Sequence, residues 1–348
     1  MKFLLFIIFN ILFVKINSQD KCHVLALQGG GDQGAYQAGA LKGLAYNLPE
    51  SERTWNIVTG ISAGTLNGAG FSLFPSGKEI DAVDFLINVW KGIEDKNHIY
   101  QNWEPYGVFG PVYALFKESG IYDTTPLREL VTGILKGQKI QRDFYLGVVN
   151  IKSGDYEVYE AQKLTEEELV NAVLSSSAVP VIFPAIKFMN DDLYADGGVR
   201  HGIDIIHGIS KCKENGYEEK DILVDAVLCF RGKLNEEDPT KLTALKAYMK
   251  SLEIFQKDRT IKDIQDIIDA HPNVNFRYIV KPTRALPNSK LPFVFDKAAT
   301  EEMLKQGEED AINIIKSFNS NSSSFKDEIK SEYKSTMESS IAKVSNLN

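Results

Sequence analysis

The 348-residue chain is poor in cysteine and histidine, with three of the first and five of the second. Cys22, Cys212 and Cys229 are too few for a disulfide-held scaffold. An oxidising compartment would allow one bridge and leave one thiol over, and the sequence leaves the pairing open. Nothing has the paired spacing of a zinc site, so no metal is expected. Basic residues are outnumbered, 39 Lys and Arg against 47 Asp and Glu, for a formal charge of −8. There is no basic run with interleaved aromatics. Both facts argue against nucleic acid as a partner.

Long apolar runs are also missing, except at the start. Met1-Lys2 leads into "FLLFIIFNILFV", then Lys15 and the small Ser18. A positive start, a short apolar stretch and a small residue at the exit describe a secretory signal peptide. A retained anchor is the alternative, but spanning a bilayer takes about 20 residues, and Asn10 interrupts this run. Residues 1–18 are therefore expected to be removed, which takes the charge from −8 to −10 by loss of Lys2 and Lys15. The expected destination is the secretory pathway, either secreted or lumenal (vacuolar or lysosomal). The mature chain is expected to be soluble. Asn321-Ser322-Ser323 is the acceptor pattern for N-glycosylation.

What remains is ordinary globular material, 43% hydrophobic and 25% charged. Strand-like and helix-like segments alternate. "HVLALQ" at 23–28 precedes a helical spacing over 35–47, and "WNIVTGIS" at 55–62 precedes a helix-compatible stretch. A helix is expected at 79–96 and a hairpin over 144–160. A capping box at Thr165–Glu168 opens another helix. "ILVDAVLCF" at 222–230 reads as a strand buried on both faces. Helix 240–270, strand 275–280 and helix 300–318 complete an α/β domain over 19–318, built on a mostly parallel sheet. Residues 319–348 read as a polar, loosely held tail.

Three consecutive glycines, Gly29, Gly30 and Gly31, follow the first strand, and Gly29, Gly31 and Gly34 satisfy G-x-G-x-x-G. A dinucleotide site would then need an acid at the end of the second strand. That strand ends at Thr59-Gly60 with no acid. Instead comes "GISAG", Gly60 to Gly64, the G-x-S-x-G pattern of a nucleophile elbow around Ser62. Glycines flank the serine because a sharp strand-to-helix turn brings backbone close on both sides. Acyl transfer also needs backbone donors aimed at an oxyanion, and a glycine loop on the neighbouring strand supplies them. A histidine base has five candidates: His23, His98, His201, His207 and His271. None has an obvious orienting acid in sequence. "LYADGGVR" places Asp196 at the end of a short strand, before a turn through Gly197-Gly198.

"GGGDQGAY", "GISAG" and "DGGV", in this order, resemble the motifs of the patatin-like phospholipases. "SSSAVPVIFPA" (Ser175 to Ala185) is similar to that family's proline-containing segment. The resemblance runs from Val24 to about Val199 and more loosely to 315, through "FDKAATEEMLKQGEEDA". It implies a three-layer α/β/α fold and a serine–aspartate dyad with no histidine and no cofactor. Ser62 is then the nucleophile, Asp196 the general base, and the Gly29–Gly31 backbone the oxyanion donor. It implies a phospholipid or other polar lipid as substrate and transient contact with a membrane surface; no stable protein partner is inferred. The chain departs from the family at Gln33, where a basic residue is common, and Asp32 adds a negative charge. A His-dependent esterase and a weakly active lipid-binding or storage protein are the alternatives. The aromatic stretch 103–116 is a candidate for the acyl groove or for membrane contact, against the plainer reading of core or buried loop.

Overall fold

The computed structural model describes residues 21–229, 240, 243–287, 293, 295–320, 326–327 and 329–334. The expected signal peptide, 1–18, lies outside them. The chain runs β1 (Cys22–Leu27), α1 (Gly34–Asn47), α2 (Glu50–Arg53), β2 (Ile57–Ile61), α3 (Ala63–Phe71) and α4 (Glu79–Gly92). It continues through α5 (Gly110–Lys117), α6 (Thr125–Leu135), β3 (Asp143–Asn150), β4 (Tyr156–Glu160), α7 (Glu166–Ser176), β5 (Ile186–Lys187) and β6 (Leu193–Asp196). Then follow α8 (Ile206–Glu214), β7 (Ile222–Val227), α9 (Ala244–Ala270), β8 (Asn275–Val280) and α10 (Lys297–Asn319).

The sheet order is β5-β6-β3-β2-β1-β7-β8, with β4 also paired to β3. The run β3-β2-β1-β7-β8 is parallel, while β4, β5 and β6 pair antiparallel. Period-2 alternation divides the core into two layers. On β1, Leu25 and Leu27 join one apolar cluster, with Leu41 of α1, Leu86 of α4 and Leu304 of α10. Val24 and Ala26 face the other way, into a cluster with Ile209 of α8 and Ile264 and Ile268 of α9. Helices thus cover both faces, a three-layer α/β/α arrangement. It also explains the unbroken apolar look of β1 and β7, which are buried on both sides.

The capping box forms: Thr165 Oγ1 accepts from Glu168 N, and Glu168 Oε2 accepts from Thr165 N at 2.8 Å. Cys22 and Cys212 are joined in a disulfide between the start of β1 and α8, and Cys229 is a buried free thiol. In the β1/β7/β8 half of the sheet, Asp225 is enclosed but fully engaged. It accepts from Trp55 Nε1 at 2.7 Å, Arg277 Nε at 3.0 Å, the Tyr278 amide at 3.0 Å and a second Arg277 nitrogen. Within the stretch read as a loose tail, Ile329 is buried in the second cluster and Glu332 pairs with Lys281 at 3.0 Å. That part of the tail packs on the domain because it brings its own apolar residue to the core.

Strand β3 sets the geometry of the site. Its residues 143–147 pair with β2 and its residues 148–150 with β6. β4 occupies 145–149 and so takes the opposite edge. β2 and β6 therefore lie end to end along one edge, running toward each other. Ile61 pairs with Gly147, and Asp196 with Val148. The residue after Ile61 is Ser62.

Candidate active site

Ser62 turns the chain from β2 into α3 with φ 56° and ψ −124°, a strained conformation for a side-chain-bearing residue. A Cβ at Gly60 would come within 2.5 Å of the Gly64 carbonyl oxygen, and one at Gly64 within 2.2 Å of the Leu27 carbonyl oxygen. Neither position has room for a side chain, which is the steric reason for the G-x-S-x-G pattern. The elbow places Ser62 at the N-terminus of α3, where the helix dipole favours negative charge.

The end of α7 and the residues that follow it brace this turn. Ser176 Oγ accepts from the Ser62 amide at 3.0 Å, lies 2.7 Å from Thr65 Oγ1, and donates to the Gly147 carbonyl at 2.7 Å. Ser177 Oγ donates to the Ser62 carbonyl at 3.4 Å. At the next residue, the Ala178 carbonyl accepts from the Asp196 amide at 3.0 Å. One short segment therefore holds both the elbow and the acid. Sequence reasoning quoted these serines but assigned them no role.

Asp196 ends β6 and is 4% exposed. Its carboxylate accepts from the Gly198 amide at 2.7 Å and is hydrogen-bonded to Ser62. Gly197 and Gly198 form the short turn that carries this amide. Burial pushes the Asp196 carboxyl up to about 6, against the pull of the hydrogen bonds from Ser62 and Gly198.

Gly29, Gly30 and Gly31 lie beside the elbow. A Cβ on Gly29 would be 3.1 Å from Ser62 Cβ. Gly31 adopts φ +58°, with the Phe293 ring against it. Asp32, next in the loop, is buried, and its charge helps to raise the Cys229 thiol and the Tyr100 hydroxyl, after burial itself. Gln33, where the family commonly has a basic residue, is half-buried.

A cavity opens at Ser62 and Gly31 and runs between the helices of one face. Its walls include Leu66 of α3, Leu86 and Trp90 of α4, Leu127 and Val131 of α6, and Val173 of α7. No residue of 103–116 lines it. The acyl groove expected from that stretch is corrected: the cavity is walled by helices that precede and follow it. The histidines also differ from expectation. His207 Nδ1 is 2.8 Å from Asp204, His201 Nδ1 3.4 Å from Asp263 and His271 Nδ1 2.7 Å from Glu219. Asp263 and Glu219 are distant in sequence, which local spacing could not reveal, whereas Asp204 lies three residues before His207, within reach of the sequence.

The sequence profile of the patatin-like phospholipases matches residues 25–207, just over half the chain. The chain belongs to the patatin-like phospholipase family. That span holds the glycine loop, the elbow and Asp196 of this patatin-like chain. The probable lipid hydrolase 463L of Invertebrate iridescent virus 6 is 22% identical over 209 residues, covering 59% of this chain and 70% of its own. Among solved structures, VipD from Legionella pneumophila aligns over 86% of this chain and 67% of its own, at 13% identity and a TM-score of 0.41.

Proposed function

We propose that this patatin-like protein is a secreted lipid acyl hydrolase of phospholipase A or lysophospholipase type, working through a Ser62–Asp196 dyad. The observation that carries the reading is the apolar cavity that opens on Ser62 while Asp196, buried and with no cation beside it among the described residues, hydrogen-bonds that serine. The cavity is walled by aliphatic and aromatic side chains, as an acyl chain requires. The viral relative's name, a probable lipid hydrolase, supports a lipid ester as substrate.

In the proposed scheme, the Asp196 carboxylate takes the Ser62 Oγ proton as Oγ attacks the ester carbonyl. A carboxyl poised at about 6 is a far better base than an ordinary aspartate. The Gly29–Gly31 amides receive the oxyanion, aided by the N-terminus of α3. Collapse breaks the ester C–O bond, and protonated Asp196 gives its proton to the departing alkoxide, leaving an acyl-Ser62. Water then attacks the acyl carbon, its proton passes to Asp196, and the fatty acid leaves as Ser62 regains its proton.

Secretion is supported by the N-terminal apolar run and by the Cys22–Cys212 bridge, which an oxidising compartment maintains. The decisive experiment is hydrolysis of phosphatidylcholine and its lyso form, with products identified by mass. The expected result is fatty acid release by wild type and a loss of about 10⁴-fold or more in Ser62→Ala. Equal turnover by the two proteins would overturn the assignment.

A further inference from the structure

Residues 102–122 leave the domain and return to the same place. Gln101 and Asp123 exchange backbone hydrogen bonds at 2.9 and 3.0 Å, which closes the base of the excursion. Trp103 Nε1 ties it again, donating to the Gly120 carbonyl at 3.1 Å. Between these ties stands α5, held by buried Gly110 and Ala114, four residues apart on one face. The rest of the helix and the turn before it point away from the protein. Val108, Phe109, Val112, Leu115 and Phe116 are 59–82% exposed. Single exposed apolar residues are ordinary, but five on one short element are not.

The surroundings indicate what meets them. Within 102–117 the charged residues are Glu104 and Lys117, so this element carries no cationic ring to select an anionic surface. The whole chain is acidic, at −8. Tyr106 and Tyr113 stack at 3.9 Å near the start of the helix, rings with an apolar body and a polar tip suited to a headgroup layer. The base of the excursion is also part of the site. Tyr100 packs on Tyr122 at 4.9 Å and on Phe183 at 5.8 Å, and its hydroxyl donates to the Phe293 carbonyl at 3.1 Å. Ile99, Phe183 and Phe293 line the cavity. Ile121 donates to the Val181 carbonyl at 2.8 Å, three residues beyond the Ala178 carbonyl that holds the Asp196 amide.

We propose that α5 and the turn before it, residues 106–116, dock the enzyme on an uncharged or zwitterionic lipid surface, with Phe109 and Phe116 immersed and the cavity mouth beside them. The substrate side of this proposal rests on the lipid hydrolase reading above. A second copy of the chain is a poorer occupant. An eight-residue helix is about 12 Å long, whereas stable dimers bury roughly 1,200–2,000 Å² in total. A bilayer needs no matching surface and accepts an apolar wedge of this size.

Flotation with phosphatidylcholine vesicles tests the surface without requiring turnover, so it reads independently of the hydrolysis assignment. Wild type should float. The double variant Phe109→Asp/Phe116→Asp should lose about tenfold or more of its partitioning, and Phe116→Ser alone an intermediate amount. Thermal melting and hydrolysis of a soluble short-chain ester should be unchanged in both. Failure of wild type to float, or flotation retained in the double variant, overturns the proposal. So does flotation that disappears only on removal of residues 1–18. A wild-type dimer that the variant splits, with vesicle binding intact, assigns the patch to self-association and also overturns it.

Discussion

Two buried aspartates, on opposite halves of one sheet, have been given opposite surroundings. Asp225 on β7 is 1% exposed and accepts from Trp55, Tyr278 and twice from Arg277, whose positive charge neutralises it. Asp196 at the end of β6 is 4% exposed and has the Gly198 amide and Ser62 as its hydrogen-bond partners. Burial is nearly the same, so burial does not distinguish a structural carboxylate from the proposed base. The partner does. A carboxylate whose partners are a guanidinium, an indole and an amide faces no hydroxyl to activate, while one facing a hydroxyl can accept that hydroxyl's proton. Burial holds Asp196 up to about 6; the hydrogen bonds from Ser62 and Gly198 offset it only in part, and no cation among the described residues adds to them.

Exchanging the two acids for their amides should separate these roles. Asp196→Asn should lower the turnover of lipid ester by about 10²- to 10⁴-fold while the protein stays folded, measured as fatty acid release beside circular dichroism. Asp225→Asn should do the reverse, costing up to about 3–5 kcal/mol in urea unfolding because buried Arg277 loses its close carboxylate and keeps the more exposed Glu52 at 3.7 Å, with turnover of the remaining folded protein close to wild type. A large loss of turnover in folded Asp225→Asn would erase the contrast. pH sharpens it further. The folded carboxyl of Asp196 titrates at about 6, above the roughly 3.9 of an unfolded aspartate, so the native state holds the extra proton between those values. Ionising it costs native stability as pH rises. Asp196→Asn should therefore match wild type near pH 4 and exceed it by up to about 3 kcal/mol at pH 8. Over the same window wild-type kcat/KM should climb, reaching half its plateau near pH 6. The smallest effect is expected at the brace: Ser176→Ala should lower kcat about tenfold with KM little changed, since its hydroxyl positions the elbow and touches no substrate.

The elements that were legible in the sequence are those whose signal is local. β1 and β2, the α7 capping box and the Ser62 elbow each declare themselves within a few residues, through alternation, a Thr-x-x-Glu or flanking glycines. The expected helix 79–96 is four residues longer at its end than α4, which stops at Gly92, and the expected strand 222–230 runs past β7, which stops at Val227, with Phe230 outside the described residues. α6 carried a usable pattern, Pro126 in its first turn and Leu127, Val131 and Leu135 on one stripe, that was not read. The cavity had no local pattern at all. It exists because helices far apart in sequence turn their apolar faces toward one space. The same holds for Ser176, one of three consecutive serines, which differs from Ser175 by the Gly147 carbonyl and Ser62 amide that the fold brings to it. Asp196 was legible as a turn and became a candidate acid through the family resemblance. Its head-on approach to Ser62 depends on antiparallel pairing with β3, which a purely parallel reading does not supply.

That pairing has a consequence in time. The nucleophile and the acid do not meet through any contact between neighbours in the chain. Each is measured out from β3, one by residues 57–61 aligning with 143–147, the other by residues 194–196 aligning with 148–150. Two long chain closures must both be complete, in register, before the pair exists. Such non-local pairings are the slow part of forming a fold. Until both pairings are in place, the proposed Ser62–Asp196 dyad does not exist. On that reading, activity is a property of the finished sheet and of no smaller piece of it.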